Sequence, residues 1–224
     1  HRRRGPERMT RRLSALLLGL WLAAAVPSSG ATVAATPLDH FLDGLTSLRT
    51  HFTQVVVDGS GKALERGTGT LLVRRPGRFR WEYQPSDAGA RLLVADGVNL
   101  WFYDRELQQA TVKPATAALT ATPVVLLSGT VTDVRAAFEL ADGGTHGSLA
   151  WVQVRPRSET ADFASAELGF RGGALAKLVI HDRLGQMSTL EFSDSARNAA
   201  IDESELRFQP PAGVDLIGKA QPAP

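Results

Sequence analysis

The sequence predicts an α+β fold in which a meander of antiparallel strands forms one sheet and short helical segments pack across it. Three observations predict this. Short apolar runs are punctuated by Gly and Pro, 21 and 12 of the 224 residues, the signature of strands joined by tight turns. Within the runs the apolar period is two. It is plainest in Arg78-Phe79-Arg80-Trp81-Glu82-Tyr83, which puts Phe79, Trp81 and Tyr83 on one face and the charged residues on the other. Two blocks break that period, one ahead of the meander and one in its middle.

The first block starts at Thr36-Pro37-Leu38-Asp39: a hydroxyl cap, a proline in the first turn and an acid near the positive end of the helix dipole. Leu38, Phe41, Leu42, Leu45 and Leu48 follow at helical spacing. This stripe predicts a helix ending near Thr50, weakened by about 1 kcal/mol at Gly44. Residues 52–57 then read as a strand, Asp58-Gly59-Ser60-Gly61 as a turn, and 62–75 as the return strand. Gly67 and Gly69 are expected to mark a bend or bulge in it. Pro76-Gly77 turns the chain into 78–84, and strands at 91–95, 98–104 and 107–113 follow.

In Val98–Tyr103, Val98, Leu100 and Phe102 face one way, Trp101 and Tyr103 the other. A sheet with one wet face alternates apolar with polar residues, so apolar residues on both faces predict a cover over the concave side too. The second block, 114–130, supplies one. Pro114, the Ala and Thr residues after it, and Thr122-Pro123-Val124-Val125-Leu126-Leu127-Ser128-Gly129 read as one or two short helices with a Pro start and a Gly stop. Residues 130–140 suit helix or strand. Strands are expected at 151–155, 165–170, 177–181 and 188–192, and a last short one at 205–208. With no linker and no repeat, 32–224 reads as one domain.

Ahead of it, Met9-Thr10-Arg11-Arg12 is a basic start, Leu13 to Val26 an apolar stretch, and Pro27-Ser28-Ser29-Gly30-Ala31 a small-residue exit. Residues 1–31 are therefore expected to comprise upstream sequence and a cleavable signal peptide starting at Met9 and cut after Ala31. An uncleaved anchor is the other reading, but a bilayer span needs about 20 apolar residues. The formal charge of +2 comes from this segment. Without its six arginines and one acid the remainder carries 19 basic against 22 acidic side chains, net −3. That removes the main electrostatic support for a nucleic-acid partner. The absence of cysteine excludes disulfides, thiolate chemistry and a lipid-modified N-terminal Cys. Export without an anchor points to the periplasm of a Gram-negative bacterium.

Reaction chemistry has little to stand on. There is no Gly-x-Ser-x-Gly elbow, no phosphate loop, and no zinc spacing among His40, His51, His146 and His181. Asp96, Asp104 and Asp182 sit beside turns, where aspartate serves as a turn former. No catalytic residue, metal or cofactor is expected. Arg75 has two readings: an exposed partner for a carboxylate, or a five-donor fork bonding carbonyls of a covering helix. Phe79, Trp81 and Tyr83 likewise read as ordinary core or as the wall of a cavity.

Taken together, these residues resemble the outer-membrane lipoprotein carrier family, LolA. The matching features are Phe52-Thr53-Gln54 after an amphipathic helix, Arg75-Pro76 followed by Phe79-Arg80-Trp81, Asp96-Gly97, and Leu100-Trp101-Phe102-Tyr103-Asp104. Gln109, Thr122-Pro123 and Pro210-Pro211 with Gly213-Val214 follow in the family's order, whereas 129–165 carries little signature. The resemblance implies a single-domain incomplete antiparallel β-barrel whose apolar concave face is covered by a lid of short α-helices. It implies a soluble, non-enzymatic periplasmic chaperone, a monomer. Such a chaperone takes lipoproteins from an ATP-driven (ABC-type) inner-membrane releasing complex and gives them to an outer-membrane acceptor.

By motif position Arg75 matches the family's lid-holding arginine, and Phe79 the aromatic beside it implicated in transfer. Leu42 lies on the helix contributing to cavity and lid. Cavity and lid are expected to comprise Leu38, Phe41, Leu42, Leu45, Phe79, Trp81, Tyr83, Trp101, Val124 and Leu127. A charge at position 79 is accordingly expected to sit at an apolar mouth and impair loading or handover. The alternative is a lipid- or lipoprotein-sensing regulatory module of the same half-barrel type, which is expected to bring a second domain. A lipid hydrolase would need a nucleophile and base that the sequence does not supply.

Overall fold

The computed structural model describes residues 35–118 and 122–222, so the expected signal peptide lies outside the described residues. The chain enters through a single helical turn, α1 (Pro37–Leu42), whose start is a capping box. Thr36 Oγ accepts from the Asp39 N–H at 3.3 Å, and the Asp39 carboxylate accepts from the Thr36 N–H at 2.7 Å. The helix stops at Leu42 and does not reach Thr50. Gly44 takes φ +62°, a left-handed conformation that turns the chain out of the helix. Leu48 then belongs to the first strand, where pairing on both sides satisfies its backbone. Leu45, in the intervening turn, and Leu48 are still buried, so the apolar spacing is real but its second half is not helical.

The strands are β1 (Ser47–Val57), β2 (Ala63–Arg74), β3 (Arg78–Pro85), β4 (Arg91–Ala95), β5 (Asn99–Asp104) and β6 (Gln109–Pro114). A 3-10 turn (Ala115–Ala117) leads toward two short helices, α2 (Val125–Ser128) and α3 (Val131–Ala137). Then come β7 (Phe138–His146), β8 (Leu149–Pro156), β9 (Phe163–Arg171), β10 (Ala174–Asp182) and β11 (Met187–Arg197). The ambiguous stretch 130–140 is thus helix up to Ala137 and strand from Phe138. A 3-10 turn (Glu203–Leu206) stands where the sequence predicts a strand at 205–208, and the last strand is instead β12 (Asp215–Ile217).

Among the described residues the twelve strands form one sheet in the order β12-β6-β5-β4-β3-β2-β1-β11-β10-β9-β8-β7. All neighbours are antiparallel except β12 on β6. The two ends, β12 and β7, do not pair with each other, so the sheet curls into an incomplete barrel with short helices over its concave face. Gly67 and Gly69 make no bulge against β3, where register is unbroken. They are there for close approach: a Cβ at Gly69 would lie 2.2 Å from the Phe52 ring and 2.3 Å from the Glu82 carbonyl oxygen.

Both faces of the meander are covered. The concave face carries the main core, including Leu48, Phe52, Leu71, Val73, Phe79, Leu100 and Leu190. On the outer face Leu92, Val94, Trp101, Tyr103, Ala110 and Val112 form a second cluster under the C-terminal segment. Phe208 packs on Trp101 and Tyr103 at centroid distances of 5.6 and 5.3 Å. The segment is pinned by Arg49 to Glu205, by Arg74 and Arg78 to Glu203, and by reciprocal Asn99–Gln221 bonds of 2.9 and 2.8 Å.

Asp96 organises the β4–β5 turn by accepting from Val98 N–H, Asn99 N–H and the Trp101 indole N–H at 2.9, 2.7 and 2.9 Å. Burial alone would raise its pKa, but these donors win and hold the carboxyl below its ordinary value. Such a group contributes stability above its unfolded pKa and loses it as pH falls through the folded pKa. Asp96→Ala is expected to cost on the order of 1–3 kcal/mol at neutral pH. The gap to the parent should narrow as pH drops below the ordinary aspartate range. Urea midpoints measured from neutral to acid pH check this, and a gap that widened in acid would contradict it.

Candidate functional site

The helices meet the concave face in one continuous apolar cluster. It brings together Leu38, Phe41, Leu42, Leu45, Phe79, Tyr83, Val124 and Leu127, with Trp81 packed against it. Phe41 lies 5.5 Å from the Phe170 ring of β9, which seats α1 over the far half of the sheet. Phe52 sits edge-on to Trp81 at 5.0 Å and stacked with Tyr83 at 6.3 Å. Burial, with Glu65 close by, pushes the Tyr83 phenol well above its ordinary value, so it stays neutral.

Trp101 is the exception among the expected cavity residues. It belongs to the outer cluster beneath Phe208, on the opposite side of the sheet from the helices. Alternation along β5 separates it correctly from Leu100, but the outer face needs a cover of its own. Phe79 also differs from expectation. At 0% exposure it lies inside the cluster, away from any open mouth.

Arg75, between β2 and β3, holds the helix ends. Its Nη1 donates to the carbonyls of Leu42 and Leu45 at 2.7 and 3.2 Å, and Nε and Nη2 donate to the Gly129 carbonyl at 3.2 and 3.0 Å. Leu42 is the last residue of α1, and Gly129 caps α2. These carbonyls lie at helix C-terminal ends, where a cation also suits the dipole. Burial lowers the Arg75 pKa from its ordinary value. The carboxylate partner of the other reading is not among the ion pairs of the described residues. The Arg75–Pro76 peptide is cis, and the Gly77 N–H beyond it donates to the Ser128 carbonyl at 2.7 Å.

Two further arginines, which the sequence does not single out, join this scaffold. Arg197, at the end of β11, donates to the Phe41 and Asp43 carbonyls at 2.6 and 3.1 Å and lies 5.0 Å from the Phe41 ring centroid. Arg135 of α3 meets the Asp39 carboxylate of α1 at 2.8 Å to both oxygens. The only available signal is a cation at the end of each element, too common to act on.

The hollow is not filled throughout. Beyond the helix residues a cleft of about 510 Å³ opens on the concave side, walled by Trp81, Leu93, Leu100 and Phe102 and rimmed by Gln54, Arg91, Lys113, Thr122 and Asp162. A second depression, of about 640 Å³, lies on the outer face and is edged by His51, Arg80, Glu82 and Arg105. Arg91 borders both depressions. No group of three His, Cys, Asp or Glu among the described residues could hold a metal ion.

These features define a class of protein: an open half-barrel with an apolar concave face, shut by short helices that polar side chains grip by their ends. A family model for the outer membrane lipoprotein carrier protein LolA matches residues 43–209. The outer-membrane lipoprotein carrier protein of Methylobacillus flagellatus is 35% identical over 198 residues, covering 88% of this chain and 95% of its own. That of Alkalilimnicola ehrlichii is 37% identical over 205 residues, covering 91% and 93%. The chain belongs to the LolA family. An uncharacterized conserved protein from Thermus thermophilus shares the fold at a TM-score of 0.52 and 16% identity, over 81% of this chain and 96% of that one.

Proposed function

We propose that this protein is a periplasmic carrier that receives lipoproteins released from the inner membrane, shields their acyl chains and delivers them to an outer-membrane acceptor. Exposing each acyl methylene to water costs about 0.8 kcal/mol, so a lipoprotein's chains need cover to cross an aqueous compartment. The observation that carries the reading is the apolar concave face closed by helices whose ends are held through backbone carbonyls. Each such bond has a net worth of roughly 0.5–1.5 kcal/mol, or up to about 3 when one partner is charged, so cargo binding can offset the loss of a few of them.

On this reading Arg75 is the lid clasp. Leu38, Phe41, Leu42, Leu45, Val124 and Leu127 are the lid, and Phe79, Trp81 and Tyr83 the wall beneath it. The protein acts by binding alone, as a monomer after signal-peptide removal. Its two exchange partners are an ABC-type releasing complex and an outer-membrane acceptor. The carrier name borne by relatives at 35% and 37% identity favours this function over a lipid-sensing regulator. Incubated with spheroplasts, the mature chain is expected to bring outer-membrane lipoproteins into the supernatant as soluble complexes. Lipoproteins that stay with the spheroplasts at every carrier concentration would overturn the reading.

A further inference from the structure

The inner wall does not end at the lid. Register partners set Trp81 beside Leu93, Leu93 beside Phe102, Phe102 beside Thr111 and Thr111 beside Ile217. Directly opposed residues share a face, so these side chains form one file running across five strands from the core to the free edge of the sheet. Trp81 and Leu93 are half-buried against the core and Thr111 is half-buried, while Phe102 is 44% exposed and Ile217 47%. Phe102 is a large aromatic in mid-strand, lining the cleft and open to water.

The rows on either side are polar toward the edge. On one side the neighbouring file runs from Leu100 to the exposed Lys113, and on the other it runs through Arg91, Asp104 and Gln109. The strip, apolar except at Thr111, is therefore one side chain wide between polar rails. At about 4.8 Å per strand, its four steps span about 19 Å. One leaflet of a bilayer's hydrocarbon core, half of about 30 Å, is about 15 Å deep, so one extended acyl chain fits its length. A protein partner needs a broad patch, with roughly 800 Å² buried on each side, which this width does not offer.

We propose that this file is a track for a single acyl chain of the cargo, leading from the cleft to the β12 edge, with Phe102 and Ile217 as its outer lip. The track rests on the carrier reading and deepens it. A chain lying along it is covered on one side only, so it can enter or leave methylene by methylene while the rest of the lipid stays inside.

The test uses the mature chain with a synthetic palmitoylated lipopeptide and its octanoylated counterpart. A photoreactive side chain is placed in turn at positions 102, 217 and 216; Leu216 pairs with Ala110 of the outer cluster and serves as the opposite-face control. Cross-links to the acyl chain are expected from 102 and 217 and not from 216. Phe102→Ser is expected to raise the Kd for the palmitoyl peptide about tenfold, and that for the octanoyl peptide less, since the short chain meets Phe102 only as a cleft wall and has no methylenes beyond it on the track. If the parent protein binds the palmitoyl peptide but 102 and 217 do not cross-link, or F102S binds as tightly as the parent, the track is wrong and the carrier reading stands. If the parent binds neither peptide, the carrier reading itself falls. Dimers in sedimentation that F102S dissolves, with lipopeptide binding unchanged, would make the strip a self-association face and also overturn the track.

Discussion

Arg75→Leu is expected to fold, to load cargo, and to hand it on poorly. The sheet ladder does not use the guanidinium, and the Arg75 backbone N–H keeps its bond to the Thr46 carbonyl at 2.8 Å. What disappears is the set of bonds from Nε, Nη1 and Nη2 to Leu42, Leu45 and Gly129, which on the proposed carrier reading hold the lid closed. A charged donor to a carbonyl is worth about 1.5–3 kcal/mol. If closure loses that much for the whole set, the open form gains population and apparent cargo affinity rises by about 10- to 100-fold. The sign follows from which state carries the bonds: weakening the empty, closed form favours the loaded one. A tighter carrier is a worse donor. Transfer from the loaded variant to acceptor-bearing liposomes should fall accordingly while its melting curve stays cooperative. Transfer at the parent's rate would contradict the clasp. Arg75→Lys should lie between the two, because one ammonium cannot fork across carbonyls on opposite sides.

Phe79→Glu is expected to fail at an earlier stage. A mouth position would give a folded protein with a loading defect, but Phe79 is at 0% exposure inside the main core. Truncating a buried Phe costs about 3–5 kcal/mol, and a carboxylate placed there has no cationic partner to offset its burial. Against a typical stability of about 5–15 kcal/mol the loss leaves little or no folded population. Periplasmic yield and a thermal melt read this directly, and a cooperative melt near the parent's would contradict it. Phe79→Leu keeps the site apolar and should cost under about 1.5 kcal/mol, so it separates a role in handover from a role in folding.

What is legible in the sequence is local. The β3, β4 and β5 strands fall within a residue of their expected bounds, because Pro76-Gly77 and Asp96-Gly97 mark their ends and alternation marks their faces. Arg75 stands out as a charge in a Pro-Gly turn between two apolar strands. Alternation separates residues into two sets but does not say which set looks inward. Trp101 goes to the wrong side because its cover, Phe208, lies over a hundred residues away in a segment that the sequence reads as a short strand and not as a cover. The end of α1 is missed for a related reason. Leucine spacing favours a longer helix, and only pairing of β1 with both β2 and β11, one of them far along the chain, outweighs it. Arg197 is invisible because its role depends on a carbonyl 156 positions earlier.

A barrel left unclosed leaves a raw margin of backbone donors and acceptors at β7, the outermost strand on that side. Its register slips between Asp142 and Gly144, the stretch is mostly exposed, and Asp142 turns its carboxylate back onto the Gly144 N–H at 2.9 Å. A crooked, acid-bearing border makes a poor template for a strand of another molecule. This lets a molecule with a greasy interior leave its seam unstitched without neighbouring copies sewing themselves onto it.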